Sequence, residues 1–253
     1  MMNRTLIASF AAATAVFGAC AAKPAPVPEP DPAPEPTSVS SYILLDRTGS
    51  MAPLWDEALT SVNAYAAEVG HERDDAVDVL ETDVTLAVFD AQDGLQFDVL
   101  RQKVEPGEWD AVTSDDVSPR GMTPLFDAIV QIVSLAEADA PEKAVIVIMT
   151  DGEENSSREV TRDGAKAALD RIEQKGWEVV FLGADFGNFD DAEAVGVSAA
   201  KQMAIAPGSM QSSMERIAQK SRNYAKGADE AMEFNEEDRA VANEEAVKDR
   251  DGN

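Results

Sequence analysis

Four continuous apolar runs punctuate the chain: Tyr42 to Leu45, Val84 to Phe89, Ala144 to Met149 and Val179 to Leu182. Their length and β-branched content suit strands buried on both faces. Leu95, Phe97 and Val99 alternate instead with Gln96 and Asp98, which predicts a half-exposed antiparallel strand near an edge. Between these runs apolar residues recur at steps of three and four. Leu54, Ala58, Val62, Tyr65 and Val69 make one helical stripe, and Leu125, Ile129, Ile132, Val133 and Ala136 make a second. Ala165, Ala168, Leu169 and Ile172 form a third, closed by Gly176 at a C-cap position, and Met210, Met214, Ile217 and Tyr224 form a fourth. Strands alternating with helices predict an α/β fold: a mostly parallel central sheet with helices on both faces and one antiparallel edge strand. The predicted domain spans residues 38–226. Beyond Gly227 acidic residues outnumber apolar ones and almost no apolar period survives, so residues 227–253 read as an acidic polar, solvated tail with at most transient helix.

The N-terminus has another pattern. Arg4 precedes an Ala-rich apolar run from Leu6 to Phe17, then the small residues Gly18 and Ala19, the layout of a secretory signal peptide over residues 1–19. The run falls short of the roughly 20 residues that a membrane-spanning helix needs. Phe17-Gly18-Ala19-Cys20 resembles the lipobox of bacterial lipoproteins, with Phe17 where Leu is usual, and implies acylation of Cys20. Ordinary cleavage nearby, leaving a soluble periplasmic protein, is the alternative. Prolines at every second position from Pro24 to Pro36 fix φ and remove amide donors, so residues 20–37 are expected to form an extended stalk rising about 3.1 Å per residue. Ala21 lacks the Asp that favours inner-membrane retention in some bacteria, which tilts the expected location towards the outer membrane.

With 44% hydrophobic and 27% charged residues the chain buries a core. Its 48 acidic residues against 21 basic ones give a net charge of −27, a field that repels phosphate backbones and makes nucleic acid a poor partner. One cysteine allows no internal disulfide, and the single His71, in a charged stretch, reads as an exposed loop residue.

Candidate chemistry lies where strands end. In open α/β sheets ligands gather beyond the carboxyl ends of the strands. Asp46-Arg47-Thr48-Gly49-Ser50 follows the first strand, Thr150-Asp151-Gly152 follows the run Ala144 to Met149, and Gly121-Met122-Thr123-Pro124 precedes a helix. These stretches offer carboxylate and hydroxyl oxygens and no nitrogen or sulfur ligand, which suits Mg²⁺, Mn²⁺ or Ca²⁺ over zinc. Two carboxylates balance a divalent charge without saturating its coordination. Arg47, Glu153 and Glu154 flank the set and read as exposed loop charges.

Asp46, Thr48, Ser50, Thr123 and Asp151 meet, in order, the pattern Asp-x-Ser-x-Ser, distant Thr, distant Asp, with Thr48 in place of the first Ser. In this the chain resembles the von Willebrand factor A domain family and its metal-ion-dependent adhesion site, over roughly Ser38 to Tyr224. The resemblance implies direct ligation by Thr48 and Ser50, ligation by Asp46 and Asp151 largely through water, and by Thr123 either way. It also implies an open metal position that accepts an Asp or Glu from a protein partner, and a binding module in place of an enzyme. A rival resemblance is carried by Asp46-Arg47-Thr48-Gly49 alone, which is similar to the phosphorylated loop of P-type ATPases and haloacid dehalogenase relatives. It implies a Mg²⁺-dependent phosphotransferase or phosphatase with Asp46 as nucleophile.

Overall fold

Inward-facing apolar residues decide the layering. Along the first strand, β1 (Thr37–Asp46), side chains alternate between faces: Val39, Ile43 and Leu45 enter one apolar cluster, Tyr42 and Leu44 the other. A strand buried on both faces needs cover on both. The computed structural model, which describes residues 37–71, 80–186 and 188–251, supplies it. One layer contains α1 (Trp55–Val69) and α5 (Met210–Ala225); the other contains α2 (Leu125–Asp139), α3 (Arg162–Glu173) and the short α4 (Asp190–Ala194).

The sheet has six strands. β2 (Leu80–Ala91), β3 (Leu95–Val104), β4 (Ala144–Thr150), β5 (Glu178–Ala184) and β6 (Gln202–Ile205) join β1 in the order β3-β2-β1-β4-β5-β6. All neighbours are parallel except β2 and β3, so the alternating run around Phe97 is the antiparallel edge strand, as predicted. β1 has β2 on one side and β4 on the other, and the strand order reverses there. Leu45 pairs with Met149, which sets Asp46 beside the end of β4. This is a topological switch point, where an α/β sheet opens a crevice.

The helical stripes fall where the periodicity puts them. α1 starts one residue late, because Gly49–Leu54 forms a 3-10 turn first. β6 was not anticipated: its burial is complete, but four residues are too few to show a period. The solvated-tail reading is corrected. Beyond Gly227 the chain forms α6 (Glu236–Val241) and α7 (Glu244–Asp251), and Met232, Phe234, Ala242 and Val247 are buried. Asn235 and Asp238 cap α6 reciprocally. This segment lies along the outer side of β6: Ala206 N–H donates to Ala242 O at 2.9 Å and Ala204 N–H to the Glu244 carboxylate at 3.2 Å. It thereby satisfies amides that an edge strand leaves open.

The expected signal peptide, Cys20 and most of the proline-rich stalk lie outside the described residues. His71 is exposed. Among the described residues no helix is long and apolar enough to cross a membrane.

Candidate functional site

Asp46 ends β1 with no exposed surface. Its Oδ1 accepts from the Thr48 amide at 2.7 Å and its Oδ2 from the Thr150 hydroxyl at 2.6 Å. Both oxygens are thereby oriented, and each keeps a lone pair for water. Burial pushes the Asp46 carboxyl up to about 6, against the hydrogen bonds from Thr150 and Thr48, and the neighbouring Asp151 adds to the rise. The Thr48 and Ser50 hydroxyls lie 3.1 Å apart, and the Ser50 hydroxyl donates to Asp151 Oδ1 at 2.9 Å. Burial also raises the Asp151 carboxyl. Four of the five residues singled out from sequence, Asp46, Thr48, Ser50 and Asp151, therefore converge at the switch point. Asp46, Thr48 and Thr123 are buried, whereas Ser50 is exposed and Asp151 half-buried.

Thr123 joins them through its backbone. Its amide donates to the Asn155 side chain at 2.9 Å, and the Asn155 amide returns a bond to Thr123 O at 3.0 Å. Loop to loop, Gly49 N–H donates to Gly121 O at 3.2 Å and Arg120 N–H to Arg47 O at 2.7 Å. The end of β2 supports the same loop, since Ala91 and Met122 exchange backbone bonds. Gly121 has a φ of +74°, and a Cβ there would come within 2.5 Å of Ala91 O and 2.7 Å of an Asp90 carboxylate oxygen. Only glycine fits.

Several supporting residues escaped the sequence reading. Arg47 is not an exposed loop charge: it is 4% exposed, its Nε donates to Asp90 at 2.7 Å, and it also pairs with Asp98. Asp90, fully buried, takes Arg120 Nε on its other oxygen at 3.2 Å. Glu154 is half-buried and pins the loop after β4 to α2, accepting from the amides of Phe126, Ser156 and Ser157. Buried Asp127 completes that pin, accepting from the amides of Arg158, Glu159 and Val160. Glu153 alone of the three flanking charges is exposed, as expected. The residue order carries no signal for these roles, because the partners that join one loop to another element lie 28 to 51 residues apart along it.

Among the described residues no cluster of three or more His, Cys, Asp or Glu side chains is arranged to hold a metal. The set around Asp46 is different in kind: two carboxylates and the hydroxyls of Thr48 and Ser50, all hard oxygens, with the buried Thr123 on the adjoining loop. That donor chemistry fits Mg²⁺, Mn²⁺ or Ca²⁺.

No family model matches the sequence, and no curated protein matches it. Solved structures do match in fold. The von Willebrand factor domain of the type V pili tip protein Mfa5 from Porphyromonas gingivalis superposes with a TM-score of 0.56 at 10% identity, over 74% of this chain and 96% of that one. The pilus adhesin SpaC from Lactobacillus rhamnosus GG gives 0.54 at 12% identity, over 76% of this chain and 30% of that one. A D319A mutant of the minor pilin PilB from Streptococcus sanguinis gives 0.51 at 14% identity, over 79% and 65%. The fold is that of a von Willebrand factor A domain.

Proposed function

We propose that this chain is an envelope-anchored binding module, which captures a protein partner through a divalent cation held by Asp46, Thr48, Ser50, Thr123 and Asp151. The observation that carries the reading is the convergence of Asp46, Thr48, Ser50 and Asp151, all-oxygen donors joined by hydrogen bonds at the switch point of the sheet. Mg²⁺ is the first expectation, with Mn²⁺ or Ca²⁺ chemically acceptable. Five protein donors leave an octahedral cation at least one oxygen short, and an exposed Asp or Glu of another protein is the natural further donor. The neighbours described as a pilus adhesin and a pili tip protein agree with a recognition role. Asp46 has no exposed surface from which to attack a phosphoryl group directly, so an enzyme is not the reading adopted.

Chelation against restored Mg²⁺ tests the metal. An ion that binds only the folded state adds about 2.7 kcal/mol when it stands 100-fold above its Kd. Mg²⁺ is expected to raise Tm in the native chain and to lose most of that effect in Asp151→Ala. Equal shifts in both proteins would move the ion elsewhere on the acidic surface. Metal-dependent hydrolysis of phosphate esters that disappears in Asp46→Asn would favour the enzymatic alternative.

The anchoring part of the proposal rests on the first residues of the chain. Export through the signal at 1–19, lipidation of Cys20 and a proline-rich stalk would hold the domain off a membrane, preferentially the outer one. Cys20→Ser is expected to shift the protein from the membrane fraction to the soluble periplasm. A native protein recovered as soluble with a free thiol would refute the anchor.

A further inference from the structure

Most large apolar side chains of this domain are covered. Among the described residues only two stand clearly exposed, Val99 at 39% and Met122 at 54%. Met122 directly precedes Thr123. It sits in a held segment: its backbone exchanges two bonds with Ala91, and Gly121 before it occupies a conformation that no other residue fits. A backbone already held in place needs no further ordering when a partner covers the side chain it carries, which lowers the cost of that contact.

Two residues earlier on the same segment, Arg120 has 43% of its side chain exposed. Its guanidinium is oriented through Nε, which donates to Asp90 Oδ2 at 3.2 Å, while Arg47 holds the other Asp90 oxygen at 2.7 Å. Asp90 is fully buried and itself fixed, so Arg120 is aimed by a rigid base. A guanidinium held at Nε still has its two terminal nitrogens to offer a carboxylate. Within a chain of net charge −27, a cation and an exposed apolar side chain thus share one rigid segment that ends in a candidate metal ligand.

We propose that Arg120 and Met122 form a partner-reading edge beside the metal, fitted to a protein segment that carries an apolar side chain and a second acidic group next to the carboxylate taken by the cation. The inference rests on the metal-dependent reading above and specifies the partner for it. Specificity would come from this edge, because a metal and a carboxylate alone distinguish few acidic segments.

The test uses the full chain and four short Gly/Ser peptides: one with a central Asp, one with Asp and an adjacent Leu, one with Asp and a second Asp, and one with all three features. Binding is measured in Mg²⁺ and in chelator for the native chain, Met122→Ser and Arg120→Gln. In the native chain the Leu is expected to tighten Mg²⁺-dependent binding about threefold or more, in line with partial burial of one apolar side chain. The second Asp is expected to add roughly three- to fivefold, as a partly exposed ion pair does. The Leu gain should vanish in Met122→Ser alone and the acidic gain in Arg120→Gln alone, a double-mutant pattern that a loss of folding does not imitate. Equal gains in all three proteins, or none, overturn the edge while Mg²⁺-dependent binding of the simple Asp peptide keeps the metal reading standing. Binding of that simple peptide that ignores chelator overturns both. Should Arg120→Gln unsettle buried Asp90, Met122→Ser still decides the apolar half, since its side chain is largely solvent-exposed.

Discussion

A carboxylate without exposed surface resists ionisation, and at Asp46 the consequence is a direct link between stability and pH. Its folded-state pKa of about 6 lies above the ordinary value of 3.8. The favourable contribution of the protonated form is thus fully present below pH 3.8 and is lost as pH rises through about 6. At pH 7 without metal the buried charge weakens the fold. Asp46→Asn removes that charge while keeping the acceptor for the Thr48 amide. It is expected to stabilise the chelated protein at pH 7 by on the order of 2 kcal/mol, to lose that advantage near pH 4, and to abolish the Mg²⁺-induced rise in Tm. Thermal melts at the two pH values in chelator check it, and an Asn variant less stable at pH 7 would refute it. Asp90 is a buried carboxylate with cationic partners. It neutralises two guanidiniums from a fully buried position, so Asp90→Ala is expected to cost about 3–5 kcal/mol in urea unfolding. Asp98, 53% exposed, contacts the same Arg47, yet Asp98→Ala is expected to cost less than about 1 kcal/mol. Comparable losses would mean that Asp90 is no hub.

At the scale of elements, legibility followed the number of apolar residues per element. β1, β2, β4 and β5 each carry an apolar run, and α1, α2, α3 and α5 each carry a stripe, so burial announces itself in the residue order. The candidate ligands were legible for another reason: each lies in or beside the loop after a strand or just before a helix. Arg47 was misread because the carboxylates that bury it belong to β2 and β3, and nothing local reports them. The C-terminal segment was misread because its cover is scattered, with Met232, Phe234, Ala242 and Val247 separated by charges that are themselves paired. Asp238 meets Arg216 and Lys220, and Glu244 meets Arg239 and Lys248. If this segment is a structural part of the domain, Phe234→Ala must behave as a core substitution and cost about 3 kcal/mol or more in chemical unfolding. A solvated tail would show no measurable change. Glu244→Ala makes the finer point, since it removes the acceptor from the Ala204 amide at the sheet edge, and the variant is expected to associate more readily at high concentration.

For the whole molecule, charge is the dominant long-range property, and it acts against the proposed function at a distance. A net charge of −27 repels an acidic partner at every separation larger than the site, while the proposed cation and Arg120 would attract it only at close range. These two regimes respond differently to salt. The Debye length is about 30 Å at 0.01 M and about 10 Å at 0.1 M, so added NaCl removes the long-range repulsion first. The association rate of an Asp-containing peptide, at fixed Mg²⁺, is therefore expected to rise as NaCl goes from about 10 to 100 mM. The dissociation rate reports the short contacts to metal and edge and is expected to change much less. Stopped-flow measurement with a labelled peptide separates the two. An association rate that falls with salt would show that positive potential at the site governs encounter despite the acidic surface, and would refute a repulsive long-range field. A rate that rises equally for a Lys-containing peptide would show that the salt acts on the protein's shape and not on its charge, because a basic peptide should be slowed by the same screening that helps an acidic one.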